Sequence, residues 1–199
     1  MANLKLIIPV MVTALMTGDH ASSQSSLGTQ LAELTRLKDK VANMDTRTRV
    51  DATHRVWTIG LSSLHPEVKM TALELLGEPV GSASDHIRMP AVYAIAEIAN
   101  STDDAQVRIK ALTMLGEPLK AEQVPIRDAA IDAVNLITRS GNRSGVALTA
   151  ARELAAPANS GNNGVRIPAI NAIVRAVEGS RSDDAYNAAI LDTLDYEPR

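Results

Sequence analysis

Cysteine and phenylalanine are both absent from this sequence, and aromatic residues of all kinds make up only 2% of it. Without cysteine there is no disulfide, no thiolate nucleophile and no cysteine-ligated zinc or iron–sulfur centre. The compartment stays open, since a disulfide-free protein is at home in the cytosol or the periplasm. With so few aromatics, the core falls to Ala, Leu, Ile, Val and Met. Such side chains suit closely approaching helices, and Ala, Leu and Met carry high helix propensity. A β-sandwich or barrel would call for alternating runs rich in aromatic and β-branched residues. A basic excess is missing too. The formal net charge is −3, which argues against a domain whose task is to neutralise phosphates, so no nucleic-acid partner is expected. What is present is 45% apolar and 22% charged residues, the balance of a chain that folds.

No apolar run is long enough to span a bilayer as a helix, which takes about 20 residues. The longest, Leu4 to Met16, is apolar after Lys5 except at Thr13. It has the length of a signal-peptide apolar region with a thin basic start. Small residues Ala21 and Ser23 then stand where a peptidase reading cleavage after Ser23 would look. The leading reading makes residues 1–23 a signal peptide and 24–28 a short linker, with the folded domain over 29–199. A buried N-terminal helix capping the domain and a retained membrane anchor are the alternatives. If the signal is cleaved, the mature chain is exported, periplasmic or secreted, with no stable membrane insertion. Otherwise it is cytoplasmic.

Two helix types alternate through the rest. The first reads Val68 to Pro79 and recurs as Val107 to Pro118, then as Val146 to Pro157, each 39 residues on. A last copy, Ala185 to Pro198, drifts by a couple of residues. The second type reads Ile87 to Ile98, recurs as Ile126 to Ile137 and Val165 to Ala176 at the same step, and has a degenerate forerunner, Thr48 to Ile59. Gly77-Glu78-Pro79 and Gly116-Glu117-Pro118 read as helix stops, with Gly taking a left-handed C′ conformation and Pro barring continuation. Pro66 and Pro125 fit first helical positions. Pro90 and Pro168 are expected in first turns, since deeper placement would break their helices. Asp85, Asp104 and Asp183 are available as caps or first-turn anions. The expected fold is all-α: a right-handed α-solenoid of about four antiparallel helix pairs plus a terminal helix, beginning near Thr29. Neither helix type can bury its apolar face alone, so the pairs stack, and terminal units need a polar outer side. Gln30 to Lys40 supplies such a cap.

The period and the repeated Val/Ile-Arg-x-x-Ala-x-x-Ala-Ile pattern resemble HEAT repeats, especially the bacterial HEAT-like repeats also found in phycobilin lyases. The resemblance covers Thr29 to about Leu194. It implies a curved solenoid whose second helices line a concave, protein-binding face. It says little more about function, because fold does not fix function.

The arginine at the second position of the second helices recurs as Arg49, Arg88, Arg127 and Arg166. One reading is a basic ladder for an acidic partner. The favoured one is structural, since a ligand site rarely needs the same residue in every repeat, and the resemblance implies stacked arginines that bond neighbouring turns. Lys69 and Arg108 hold the matching place in the first helices. Positions that vary between copies are more informative. Spacings of three and four gather His54, Trp57, Thr58, Tyr93, Glu97, Asp132, Asn135, Asn171 and Arg175 on one helix face. This stripe holds the single Trp of the chain, and Trp and Tyr are enriched at interface hot spots. His54, Trp57 and Tyr93 are the expected anchors for another protein or peptide, with Glu97, Asp132, Asn135, Asn171 and Arg175 around them. Alternatively, Trp57 plugs a gap between helix pairs and the polar positions are ordinary surface.

Catalysis finds little support. The histidines His20, His54, His65 and His86 form no i, i+4 pair and no metal-ligand spacing. No glycine-rich phosphate loop and no Gly-x-Ser-x-Gly elbow occurs. No catalytic residue, metal or cofactor is expected. The leading reading is a non-enzymatic scaffold or adaptor; the alternatives are a tetrapyrrole or bilin lyase-like protein and a HEAT-like DNA-binding protein.

Overall fold

A computed structural model describes residues 26–139 and 144–179. Among these, eight helices and no strand are present. They are α1 (Leu27–Val41), α2 (Thr46–Ser62), α3 (Pro66–Val80), α4 (Asp85–Asn100), α5 (Ala105–Leu119), α6 (Val124–Arg139), α7 (Ser144–Ala158) and α8 (Asn163–Gly179). The signal-peptide reading, the last helical copy after Ala185 and the cap at Asp183 fall outside the described residues.

The helices form consecutive pairs, α1 with α2 through α7 with α8. Each also packs against the next helix of its own type, so α1, α3, α5 and α7 make one row and α2, α4, α6 and α8 another. This is a solenoid-like arrangement of repeated helix pairs. The 39-residue step explains why the rows match. Val68, Val107 and Val146 are equivalent, as are Ala72, Ala111 and Ala150, and Leu76, Leu115 and Leu154; none is more than 1% exposed. In the second row Ala91, Ala130 and Ala169 are fully buried, and Ile95, Val134 and Ile173 are at most 2% exposed. Fully burying each Val, Leu or Ile side chain contributes about 1.5–3 kcal/mol, while the alanines let helices approach closely.

Local chemistry sets most helix starts. The Ser26 hydroxyl accepts from Thr29 N at 3.4 Å, so α1 begins at Leu27, two residues before the expected Thr29. The Asp45 carboxylate accepts from Thr48 N at 2.7 Å and from the Thr48 hydroxyl at 2.6 Å, which holds its pKa below the usual value. Asp104 caps α5 by accepting from Gln106 N and Val107 N. Asp85 is a first-turn anion of α4. Pro66 opens α3, where its missing N–H is harmless. Pro125 is the second residue of α6.

The expected stops at Gly-Glu-Pro need correction. α3 runs through Gly77 and Pro79 to Val80, and α5 through Gly116 and Pro118 to Leu119. Proline fixes φ at a helical value and removes only one donor, so at the penultimate position it ends nothing early. The chain leaves through Gly81 at φ −81° and through Lys120, its repeat equivalent, at φ −93°. No left-handed residue is required, and lysine serves where glycine does. Pro90 and Pro168 also differ from expectation. Each is the sixth residue of its helix, beyond the first turn. Both prolines are exposed, as are His86 and Gly164, whose carbonyls would have accepted the missing bonds. Water can serve those carbonyls, which is why the helices continue.

Gly60 marks the tightest crossing. A Cβ there would lie 2.7 Å from Ile98 Cδ1 and 2.8 Å from Ala72 Cβ, so α2, α3 and α4 meet closely only because the side chain is missing. The Gly60 carbonyl accepts from Lys69 Nζ at 3.0 Å, and Lys69 also donates to Ser101 Oγ at 2.6 Å. Lys69 is only 2% exposed. Its ammonium therefore bridges the C-terminal ends of α2 and α4, where helix dipoles favour a cation. Burial pulls its pKa below the usual lysine value.

Candidate interaction surface

The variable stripe maps onto the second-helix row, and its N-terminal half forms a contiguous patch. Trp57 on α2 is partly buried, and its indole Nε1–H donates to Glu97 Oε2 on α4 at 3.1 Å. The His54 ring meets Trp57 edge-on, with centroids 5.3 Å apart and planes at 82°. Such T-shaped contacts are favourable for aromatic quadrupoles. Tyr93 lies one turn before Glu97 on α4, with 49% of its surface exposed. The exposed Thr58 turns its hydroxyl back to the His54 carbonyl at 2.9 Å, so it serves its own helix.

The C-terminal half is different. Asp132, Asn171 and Arg175 are exposed on α6 and α8, and no direct bond ties them to the aromatic patch. Asn135, expected on the open stripe, is instead buried, with 8% exposure and an Oδ1 that has no hydrogen-bond partner. Trp57 likewise packs against the core with part of its ring, as the plug reading requires.

Of the repeated arginines, Arg49 and Arg127 tie their second helices to the chain before them, while Arg166 bonds within its own helix. Arg49 Nε donates to Val41 O at 3.2 Å and the guanidinium lies 3.8 Å from Glu78. Arg127 Nη1 donates to Ala121 O at 3.1 Å, and Arg166 Nη2 donates to Asn163 Oδ1 at 2.7 Å. The Nε atoms of Arg88 and Arg127 are buried without a hydrogen-bond partner. In the first-helix row Arg108, 2% exposed, donates to Thr102 O at 2.8 Å and pairs with Asp103 at 3.1 Å.

Sequence reasoning did not find the groove along α1. It encloses about 600 Å³ and is lined by Ser26, Thr29, Glu33, Arg36, Lys40 and Arg55 among others. Arg55 and Glu33 pair across it at 2.6 Å. The polar positions repeat at helical spacing on α1, a signal that was available. Among the described residues, no group of three or more His, Asp or Glu could hold a metal ion, and no helix is long and apolar enough to cross a membrane.

No family model and no curated protein matches the chain. Among solved structures it is similar to the crystal structure of an engineered protein, with a TM-score of 0.55 and 18% identity over 81% of this chain and 68% of that one. At that identity the likeness concerns the fold alone.

Proposed function

We propose that the chain is a HEAT-like, right-handed solenoid acting as a non-enzymatic scaffold or adaptor. In this reading the second helices line a concave face that binds another protein or peptide. The observation that carries it is the preformed patch of His54, Trp57, Glu97 and Tyr93. The Glu97 carboxylate fixes the indole before any partner arrives, which lowers the ordering cost of binding. A half-exposed tyrosine stands beside it as an anchor with few rotatable bonds. Asp132, Asn171 and Arg175 would extend the footprint along α6 and α8. The apolar run from Leu4 to Met16, followed by Ala21 and Ser23, supports export of the mature chain.

The test is affinity capture from the native compartment with the full chain and with Tyr93→Ala. Tyr93 is the better probe than Trp57, which also packs on the core. Hot-spot truncations cost at least about 2 kcal/mol, so partner recovery should fall more than about tenfold at unchanged helicity. Undiminished capture by a doubly substituted Tyr93→Ala, His54→Ala chain would overturn the proposed site. N-terminal sequencing of the native protein addresses export: an intact Met1 in the cytosolic fraction would remove that part of the reading.

A further inference from the structure

The repeat exposes a missing partner. Three of the ladder arginines are each followed 29 residues later by the third-from-last residue of a neighbouring first helix: Arg49 by Glu78, Arg88 by Glu117 and Arg127 by Ala156. In the first copy the carboxylate is used, with Glu78 Oε1 3.8 Å from the Arg49 guanidinium. In the second, the Glu117 carboxylate pairs with Lys120 at 3.4 Å. In the third there is no carboxylate at all. Where Glu78 would stand, Ala156 leaves an open cavity of about 230 Å³ lined by Leu119, Lys120, Arg127, Ala156, Pro157 and Ser160, together with Val165.

The chemistry of that cavity is one-sided. No Asp or Glu is among its described lining residues. Arg127 contributes a guanidinium that can engage a carboxylate in a bidentate fork, and among the described residues no carboxylate lies within ion-pair distance of it. Among the described residues only Nη1 is engaged, on the Ala121 carbonyl, and Nε is buried without a hydrogen-bond partner. Lys120 adds a second cation, partly engaged by Glu117 and influenced by Glu153. The Ser160 side chain brings a hydroxyl, already accepting from Asn162 N at 3.2 Å. A water molecule's share of liquid volume is about 30 Å³, so the space takes a carboxylate together with several carbons of stem.

We propose that this cavity, between the α5–α6 and α7–α8 connections, is a carboxylate-binding site built on Arg127. The ligand supplies in trans the group that Glu78 supplies in cis to Arg49. The carboxylate belongs either to a free small acid or to an acidic side chain of a polypeptide. This site is separate from the aromatic patch and does not depend on it.

The test follows the arginine Nε–H resonances of the full ¹⁵N-labelled chain at constant ionic strength during titration with sodium acetate, sodium phosphate and a glutamate-containing pentapeptide. Arg127 is expected to shift saturably with acetate while Arg88 and Arg166 do not. Ala156→Glu, an exposed helical position that matches Glu78 and Glu117, should fill the site from within and abolish the acetate response. Saturation at lower peptide than acetate concentration supports the site and identifies a polypeptide side chain as the source; the reverse order supports it with a free acid. An Arg127 response that is linear, or that survives Ala156→Glu unchanged, overturns the proposal. So does a response to phosphate stronger than that to acetate.

Discussion

The junction of α2 with α4 and the junction of α6 with α8 occupy equivalent places in the repeat, yet they are finished differently. At the first, the chain supplies its own contents: Trp57 reaches Glu97, Gly60 admits Ile98, Lys69 bridges two helix ends, and Arg49 has Glu78. At the second, Asn135 keeps a buried oxygen without a partner, Arg127 faces Ala156 across a cavity, and Val174 and Ile170 lie open on α8. The repeat register dictates where backbone and small core residues go. It leaves each junction's contents free, and that freedom is where specificity can be written.

The sharpest way to break this contrast is to truncate one repeat position at several places. Val92, Ile131 and Ile170 are equivalent but are 0%, 2% and 37% exposed. Ile131→Ala should cost about 2–5 kcal/mol in urea unfolding, as buried Ile truncations do, while Ile170→Ala costs well under half of that. Equal losses would mean that something covers α8 in solution. Glycine substitutions come next. Gly60→Ala should destabilise by about 1–3 kcal/mol through overpacking against Ile98 and Ala72. Gly116→Ala meets only the end of the Glu153 side chain, and the gain in helix propensity, about 1 kcal/mol, should offset much of its cost. Glu97→Ala removes the acceptor of the indole. It should cost about 1–2 kcal/mol and shift the fluorescence of Trp57 to the red; an unmoved spectrum would show that Glu97 does not hold the ring.

The smallest effect is in pH. The folded pKa of Lys69 is lowered from 10.5 by burial. Between the folded value and 10.5 the unfolded chain then holds more protons, so stability from this group rises with pH through that window and is lost as pH falls through the folded value. Glu153 works in the opposite sense. Burial raises its folded pKa above 4.5, so its contribution is full below 4.5 and is lost as pH rises through the folded value. Urea midpoints measured against pH should lose the alkaline slope in Lys69→Met and the acidic slope in Glu153→Gln.

Much of the fold was legible because the 39-residue step repeats apolar and alanine positions together, and helix packing needs only those. The caps at Asp45 and Asp104 follow from short-range hydrogen bonding, of which Asp104 was foreseen. Proline misled because its penalty depends on where the freed carbonyl points. At Pro90 and Pro168 that carbonyl belongs to an exposed residue. Asn135 misled because a helical spacing places a residue on a face without saying whether another helix covers it. The burial of Lys69 and Arg108 was hidden for the same reason: Lys69 is held by carbonyls and a hydroxyl on other turns, and Arg108 by the Thr102 carbonyl and the Asp103 carboxylate. The substitution of Glu by Ala156 was visible in the sequence, but only the cavity gave it meaning.

The sixth-residue prolines carry one more implication. Pro90 and Pro168 share a repeat position with Ala129 on α6 and Asp51 on α2, so interrupted and uninterrupted helices alternate along the second row. In α4 and α8 the opening turn is held to the body by one backbone bond fewer than in α6. Local opening costs less where fewer bonds must break. The row is therefore segmented in its amide protection, with the entrances of α4 and α8 able to fray as separate units while their distal turns, which carry Tyr93, Glu97, Asn171 and Arg175, stay closed.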